Sequence, residues 1–171
     1  EFINHIQGMF AIVLYNQDEH VLRMYRDSSG QLPLYYYWGK QRLVFASEIK
    51  AILQCGEVPV EPDEVAVQWA ARAGYVPLQH TLLKSVHKLL PGEILKWDQT
   101  SASIAMERIP AEPTDDISDL RQSFGELVAL HLQSRHQVAL NLSGGLDSSI
   151  LLHEMSELGY SVVSYTSHYE G

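Results

Sequence analysis

The chain has 171 residues, 46% of them apolar and 19% charged, with a net charge of −9. That balance is too apolar for a disordered tail and too acidic for a general nucleic-acid binder, which carries a basic stripe. No apolar run reaches the roughly 18 residues of a membrane span. No basic segment leading into an apolar core opens the chain, so a signal peptide is not expected. The single cysteine, Cys55, excludes an internal disulfide and a multi-cysteine metal site. The expectation is a cytoplasmic protein with neither membrane nor nucleic-acid partners. Glu1 rather than Met starts the chain, a strand pattern begins almost at once, and Gly171 follows another, so an excerpt of a longer protein is expected.

Gly8–Tyr15 is a continuous apolar run, the pattern of a strand covered on both faces. After the polar turn Asn16–Glu19, residues His20–Arg26 return as a second strand. Ser28-Ser29-Gly30 turns the chain, and Leu34–Trp38 with Arg42–Phe45 form a hairpin about Gly39-Lys40. Four such strands in succession predict an antiparallel meander. Ser47 is placed to cap a short helix through Leu53. Pro62, at a first-turn position, opens a second helix from Asp63 to about Arg72, which Gly74 ends. A long connection, Tyr75–Gly92, leads to a strand at Glu93–Trp97, and residues 110–114, Pro-Ala-Glu-Pro-Thr, read as a linker.

Beyond the linker the pattern is α/β. Ile117, Leu120, Phe124, Leu127 and Val128 recur at helical spacing, with Asp115, Asp116 and Asp119 at the positive end of the helix. Gln137–Leu142 is a short strand, Ser149–Leu158 a helix and Ser161–Ser167 a further strand, which makes one right-handed βαβ unit. Charge is uneven: residues 1–109 hold ten basic and twelve acidic side chains, residues 110–171 only Arg121 and Arg135 against nine acids. The second half offers little side-chain charge to an anion.

Ser143-Gly144-Gly145-Leu146-Asp147-Ser148-Ser149 joins that strand to that helix. The glycines let the backbone turn tightly and approach a ligand without a Cβ in the way, and Gly145 is where a positive φ is expected. Loop N–H groups, the helix dipole and three serine hydroxyls converge on what is an anion site, most often for phosphate. A carboxylate there repels phosphate unless a cation intervenes, and Asp147 holding Mg²⁺ resolves that conflict. The bland alternative is a Gly-rich turn in which Asp147 and the serines merely cap the helix. No Lys follows the glycines as in a Walker loop, and the third glycine of a dinucleotide fingerprint is absent.

Ser143–Ser149 after a buried strand resembles the pyrophosphate loop of the N-type ATP pyrophosphatases. Gly8–Ala11, Arg26-Asp27, Pro33–Tyr36, Phe45–Ala51 and Lys88–Gly92 resemble, in order, stretches of the glutamine-hydrolysing asparagine synthetase family. The resemblance covers nearly the whole chain. It implies that residues 1–110 are the C-terminal part of a glutamine amidotransferase type-2-like domain. Their fold would be the α+β sandwich of the N-terminal-nucleophile type. Residues 115–171 would be the N-terminal part of the ATP-pyrophosphatase synthetase domain, an α/β fold of the adenine nucleotide alpha hydrolase kind. The implied reaction is ATP-dependent amide formation: aspartate, ATP and glutamine give asparagine, AMP, pyrophosphate and glutamate. ATP would lie on Asn141, Leu142, Ser143, Gly144, Gly145, Leu146, Asp147, Ser148 and Ser167, with Mg²⁺ on Asp147. The implied partners are small molecules (ATP, aspartate or another carboxylate, glutamine or ammonia), with a homodimer left open.

The family's glutaminase nucleophile is an N-terminal cysteine that uses its own amine as base. Glu1 cannot serve and Cys55 has no basic neighbour in sequence, so no glutaminase catalytic residue is expected here and Cys55 reads as a small buried or half-exposed hydrophobe. The isolated chain is expected to be inactive. Ser28-Ser29 replaces a bulkier pair of the family; Asn141 replaces an apolar residue and His168 a small one, and these last two leave the acceptor open. The alternatives are a relative activating another carboxylate, as β-lactam synthetases and lasso-peptide cyclases do, or a non-catalytic nucleotide-binding fragment. The eight histidines show no metal-binding spacing. Tyr35–Trp38 reads as an alternating strand packed on one side, and Arg26-Asp27 as a structural pair.

Overall fold

A computed structural model describes residues 2–110, 119–133 and 137–168. Linker residues 111–114, the helix start at Asp115, Asp116 and Ile117, and Arg135 and His136 lie outside these. The chain divides into two compact units, Glu1–Ala111 and Glu112–Gly171.

The first unit opens with a 3-10 turn, Phe2–His5, and the hairpin β1 (Ala11–Asn16) and β2 (Val21–Arg26). A second hairpin, β3 (Tyr35–Gly39) and β4 (Arg42–Ala46), runs into helix α1 (Ile49–Leu53); α2 (Glu64–Ala73), β5 (Val86–Lys88), β6 (Glu93–Asp98) and β7 (Ser103–Arg108) follow. The hairpins do not form a meander. They belong to separate antiparallel sheets, β1-β2-β6-β7 and β4-β3-β5. The chain changes sheet at residues 27–33, where buried Arg26 reaches across the turn and donates to three carbonyls, of Gly30 (2.5 Å), Leu32 (2.8 Å) and Leu89 (2.6 Å).

Leu22, Met24, Leu34, Tyr36, Leu89 and Leu95 make the core common to the two sheets, and the Trp38 and Trp97 rings meet within it at 6.4 Å. β3 is buried on both faces rather than one: Tyr36 joins this core, whereas Tyr37 packs with Ile52, Val58 and Val86 under α1. β2 is likewise covered twice, by the shared core and by a cluster of Ile3, Tyr25 and Ile94. β1 is covered on both faces only in its first half, where Ala11 and Val13 pack against the shared core and Ile12 against the Ile3 cluster; Leu14 and Tyr15 beyond them are exposed.

Helix ends follow side-chain chemistry with some shifts. Glu48, not Ser47, is the N-cap of α1 and makes no capping bond. Asp63 rather than a proline starts α2: its carboxylate accepts from the N–H groups of Val65 (3.0 Å) and Ala66 (3.1 Å), while Pro62 bridges to Leu83 just outside the helix. Those bonds, led by the one from Ala66, hold the Asp63 pKa below the usual carboxylate value.

The second unit holds α3 (Leu120–Leu132), β8 (Ala139–Asn141), α4 (Leu146–Glu157) and β9 (Val163–Tyr165). Asp119 caps α3 through the N–H groups of Arg121 and Gln122. β8 and β9 pair in parallel, with Ala139 opposite Val163 and Asn141 opposite Tyr165. The core is Val128, Leu132 and Met155, with Val138, Leu140 and Val162 packed against it. Among the described residues no helix is long and apolar enough to cross a membrane.

Candidate nucleotide-binding loop

The loop is built at the carboxyl end of β8, where open α/β sheets place ligands. The Leu142 N–H donates to the Tyr165 carbonyl at 2.8 Å and fixes the last residue before the turn against β9. Gly144 then takes φ +77°, and a Cβ built there would meet nothing within 4 Å. The positive φ lies here and not at Gly145, whose φ is −79° and which is the N-cap of α4. The reason is that Gly145 must place its carbonyl on the helix axis, where it accepts from the Ser149 N–H (3.2 Å) and from the hydroxyls of Ser148 (3.1 Å) and Ser149 (2.8 Å).

Helix α4 therefore starts three residues earlier than its periodicity suggests, and Asp147 and Ser148 fall in its first turn. Both Asp63 and Asp119 spend a carboxylate on the first N–H groups of their helices, whereas Gly145 has no side chain to do so. First-turn N–H groups have no acceptor four residues back, so those of α4 are left for an external anion or water. Ser143 Oγ lies 3.2 Å from Ser148 Oγ and accepts from the Gly145 N–H at 3.3 Å, which draws the two arms of the loop together. Asp147 is exposed, and among the described residues its carboxylate has no hydrogen bond or ion pair.

A cleft of about 490 Å³ adjoins the loop, lined by Asn141, Leu142, Ser143, Tyr165, Thr166 and Ser167. Of the residues expected to bind nucleotide, Asn141, Leu142, Ser143 and Ser167 line this cleft, and Gly144, Gly145, Leu146, Asp147 and Ser148 continue from it into the helix start. Tyr165 and Thr166 were not legible as site residues. Their signal is positional: they follow or end β9 opposite Asn141. Among the described residues no group of three or more His, Cys, Asp or Glu side chains could hold a metal ion. Asp147 would thus supply one ligand to a cation whose remaining ligands are phosphate oxygens and water, a set Mg²⁺ accepts.

Cys55 is exposed rather than buried, near the end of the turn that leaves α1. Arg26 and Asp27 are both buried but do not bond to each other. Asp27 accepts from the Ser29 hydroxyl (2.8 Å), the Gln31 N–H (3.1 Å) and the Leu32 N–H (3.5 Å). Burial opposes its ionisation, yet these donors outweigh burial and bring its pKa below the ordinary value.

A strand, a glycine loop with an uncapped helix behind it, and a cleft at the strand ends make a candidate anion site in an α/β unit that follows a two-sheet unit in the chain. Residues 1–107 match the family described as "Glutamine amidotransferase domain", and residues 119–171 the family described as "Asparagine synthase". The chain belongs to the glutamine amidotransferase domain family. It is 29% identical to "Asparagine synthetase [glutamine-hydrolyzing] 1" of Bacillus subtilis over 99% of its own length and 28% of the relative's. It is 30% identical to "Amidase chyE" of Penicillium rubens over 92% of its length and 24% of the relative's. With "Asparagine synthetase B [glutamine-hydrolyzing]" of Escherichia coli it shares 29% identity over 88% of its length and 24% of the relative's. The chain thus spans under a third of the length of these curated relatives.

Proposed function

We propose that this chain is part of an ATP-dependent, glutamine-hydrolysing amide ligase that converts aspartate to asparagine. In this reading residues 1–110 are part of an N-terminal-nucleophile-type amidotransferase sandwich, and residues 115–171 the start of an ATP-pyrophosphatase domain. The observation that carries it is the start of α4: uncapped N–H groups, a glycine at positive φ with open space around it, and an unpartnered carboxylate in the first turn. The asparagine synthetases among the relatives supply the reaction. When bound, ATP supplies an adenylyl group that activates the carboxylate, and Mg²⁺ screens the departing pyrophosphate. The Ser143 and Ser148 hydroxyls and the backbone N–H groups of the loop orient the phosphates, and Asp147 fixes the cation. Because the second half carries nine acids against two basic side chains, dipoles and the cation must do most of the neutralising.

The same reading takes the enzyme as cytoplasmic, with no membrane or nucleic-acid partner and with a homodimer left open; light scattering on the full-length protein decides between monomer and dimer. The test of function is pyrophosphate release by the full-length protein with ATP, Mg²⁺ and ammonia. Release that depends on aspartate supports the proposal, and release that ignores aspartate overturns it. Asn141, polar at the edge of the cleft, favours a second reading in which the same machinery activates a different carboxylate. The Penicillium rubens relative is named an amidase.

A further inference from the structure

Helix α2 has one buried residue, Ala66. Val65 and Trp69, apolar and one turn apart, stand 64% and 47% exposed. Together with Gln68 and Arg72 they enclose a hollow of about 220 Å³. The four residues stand at i, i+3, i+4 and i+7, the spacing of the diamond that receives a side chain from a facing helix. A hollow of this size, made by one helix alone, suits a second helix better than a free small molecule, whose sites run from about 300 Å³ upward.

The charges along α2 indicate which helix fits. Glu61 and Glu64 lie at its start and Arg72 in its last turn. We propose that this face is a homodimer contact, in which α2 packs antiparallel against α2 of a second copy of the chain. Turned by 180°, the surface is complementary to itself, as a two-fold contact requires. Val65 of each helix enters the hollow of the other, Trp69 is covered, and the acidic start of each helix lies beside the partner's Arg72. Antiparallel packing also sets each helix dipole against its opposite. A parallel pair would instead bring arginine to arginine and acid to acid. The inference is independent of the phosphate loop and gives a surface to the homodimer left open above. Two ten-residue helices bury less than the roughly 1,200 Å² of a standard stable interface, so micromolar affinity is expected.

The test is sedimentation equilibrium of the full-length protein from about 1 to about 100 µM, where the parent should pass from monomer to dimer. Trp69→Glu should weaken association about a hundredfold or more and leave monomer throughout. Arg72→Glu should weaken it about tenfold by setting like charges together, and adding Glu64→Arg should restore it to within about threefold of the parent. That rescue requires the helices to run antiparallel. All three side chains are exposed, so circular dichroism of the variants should match the parent's. Should Trp69→Glu not fold, Arg72→Glu and its rescue decide. A parent that stays monomeric, or a dimer that these substitutions leave unchanged, overturns the proposal. So does a lower melting temperature of Trp69→Glu at unchanged mass, which would mean that a single chain covers this face itself.

Discussion

Asp27-Ser28-Ser29-Gly30 in the first unit and Gly144–Ser149 in the second are turns made of the same few residue types, an aspartate, serines and glycine. In the first, Asp27 is 1% exposed and its oxygens take a hydroxyl and two backbone N–H groups. Gly30, at φ +64°, is hemmed in: an added Cβ would lie 2.5 Å from Pro91 Cγ. In the second, Asp147 is exposed without a partner among the described residues, and Gly144 has a similar φ with nothing around it. One turn consumes its own polar groups to join two sheets. The other leaves its helix-start N–H groups, its carboxylate and its space unspent. Residue type alone does not separate these outcomes; what the turn is packed against does.

That contrast can be broken or sharpened by substitution. The largest effect is expected on rate: in the full-length enzyme Asp147→Asn should lower pyrophosphate release on the order of 10²–10³, roughly 3–4 kcal/mol. Its melting temperature should stay at the parent's, since the side chain bonds to nothing. Near-normal rates at limiting Mg²⁺ would show that Asp147 is a helix-dipole partner and no more.

Gly30→Ala should do the reverse, and act on stability. A left-handed backbone costs an alanine about 1–2 kcal/mol, and contact with Pro91 adds about 1–3 kcal/mol of overpacking. Chemical denaturation measures the loss, and an unchanged midpoint would mean that the turn relaxes around the methyl group. Gly144→Ala, with the same backbone and open space, should lose only the first part, about 1–2 kcal/mol. It should impair tripolyphosphate binding more than it impairs folding.

Asp27→Asn should cost about 1–3 kcal/mol, because an amide turned toward backbone donors leaves one of them unmet. It should also remove an acid dependence. The folded-state pKa of Asp27 lies below the ordinary aspartate value of 3.8, so its stabilisation is present above that pH and is lost as pH falls through the lower folded value. The parent should lose stability below about pH 4 more steeply than the variant, as followed by circular dichroism. Parallel acid profiles would place the dependence on other carboxylates.

Much of this was legible in the sequence. Apolar segments bounded by turn residues located β2, β3 and β6, and the Ser143–Ser149 string located the loop. Three things were not. β7, Ser-Ile-Ala-Met-Glu-Arg, has no strong alternation and only Ile104 reaches the core; it is a strand because the turn at Asp98, whose carboxylate takes the N–H groups of Thr100 and Ser101, folds it onto β6. β5 is three residues of a hydrogen-bonded ladder whose partner, β3, is distant in sequence. The partition of the hairpins between two sheets depends on Arg26 reaching Leu89, a contact no local pattern contains. In the candidate site, residue identity pointed to the loop, but Tyr165 and the position of positive φ depended on the register of β8 with β9.

The order of strands in the larger sheet sets a timetable for biosynthesis. β2 hydrogen-bonds to β6, with Val21 opposite Asp98, while everything that forms the smaller sheet is made in between. A ribosome that has released β1 and β2 has produced a hairpin with an open flank, and that flank stays open until residues 93–108 emerge. Long-range pairings of this kind close slowly, and unpaired flanks are where nascent chains associate wrongly. Translation speed between residues 27 and 92 is therefore a property to which the yield of this protein should respond, and slowing it there should lengthen the dependence on chaperones.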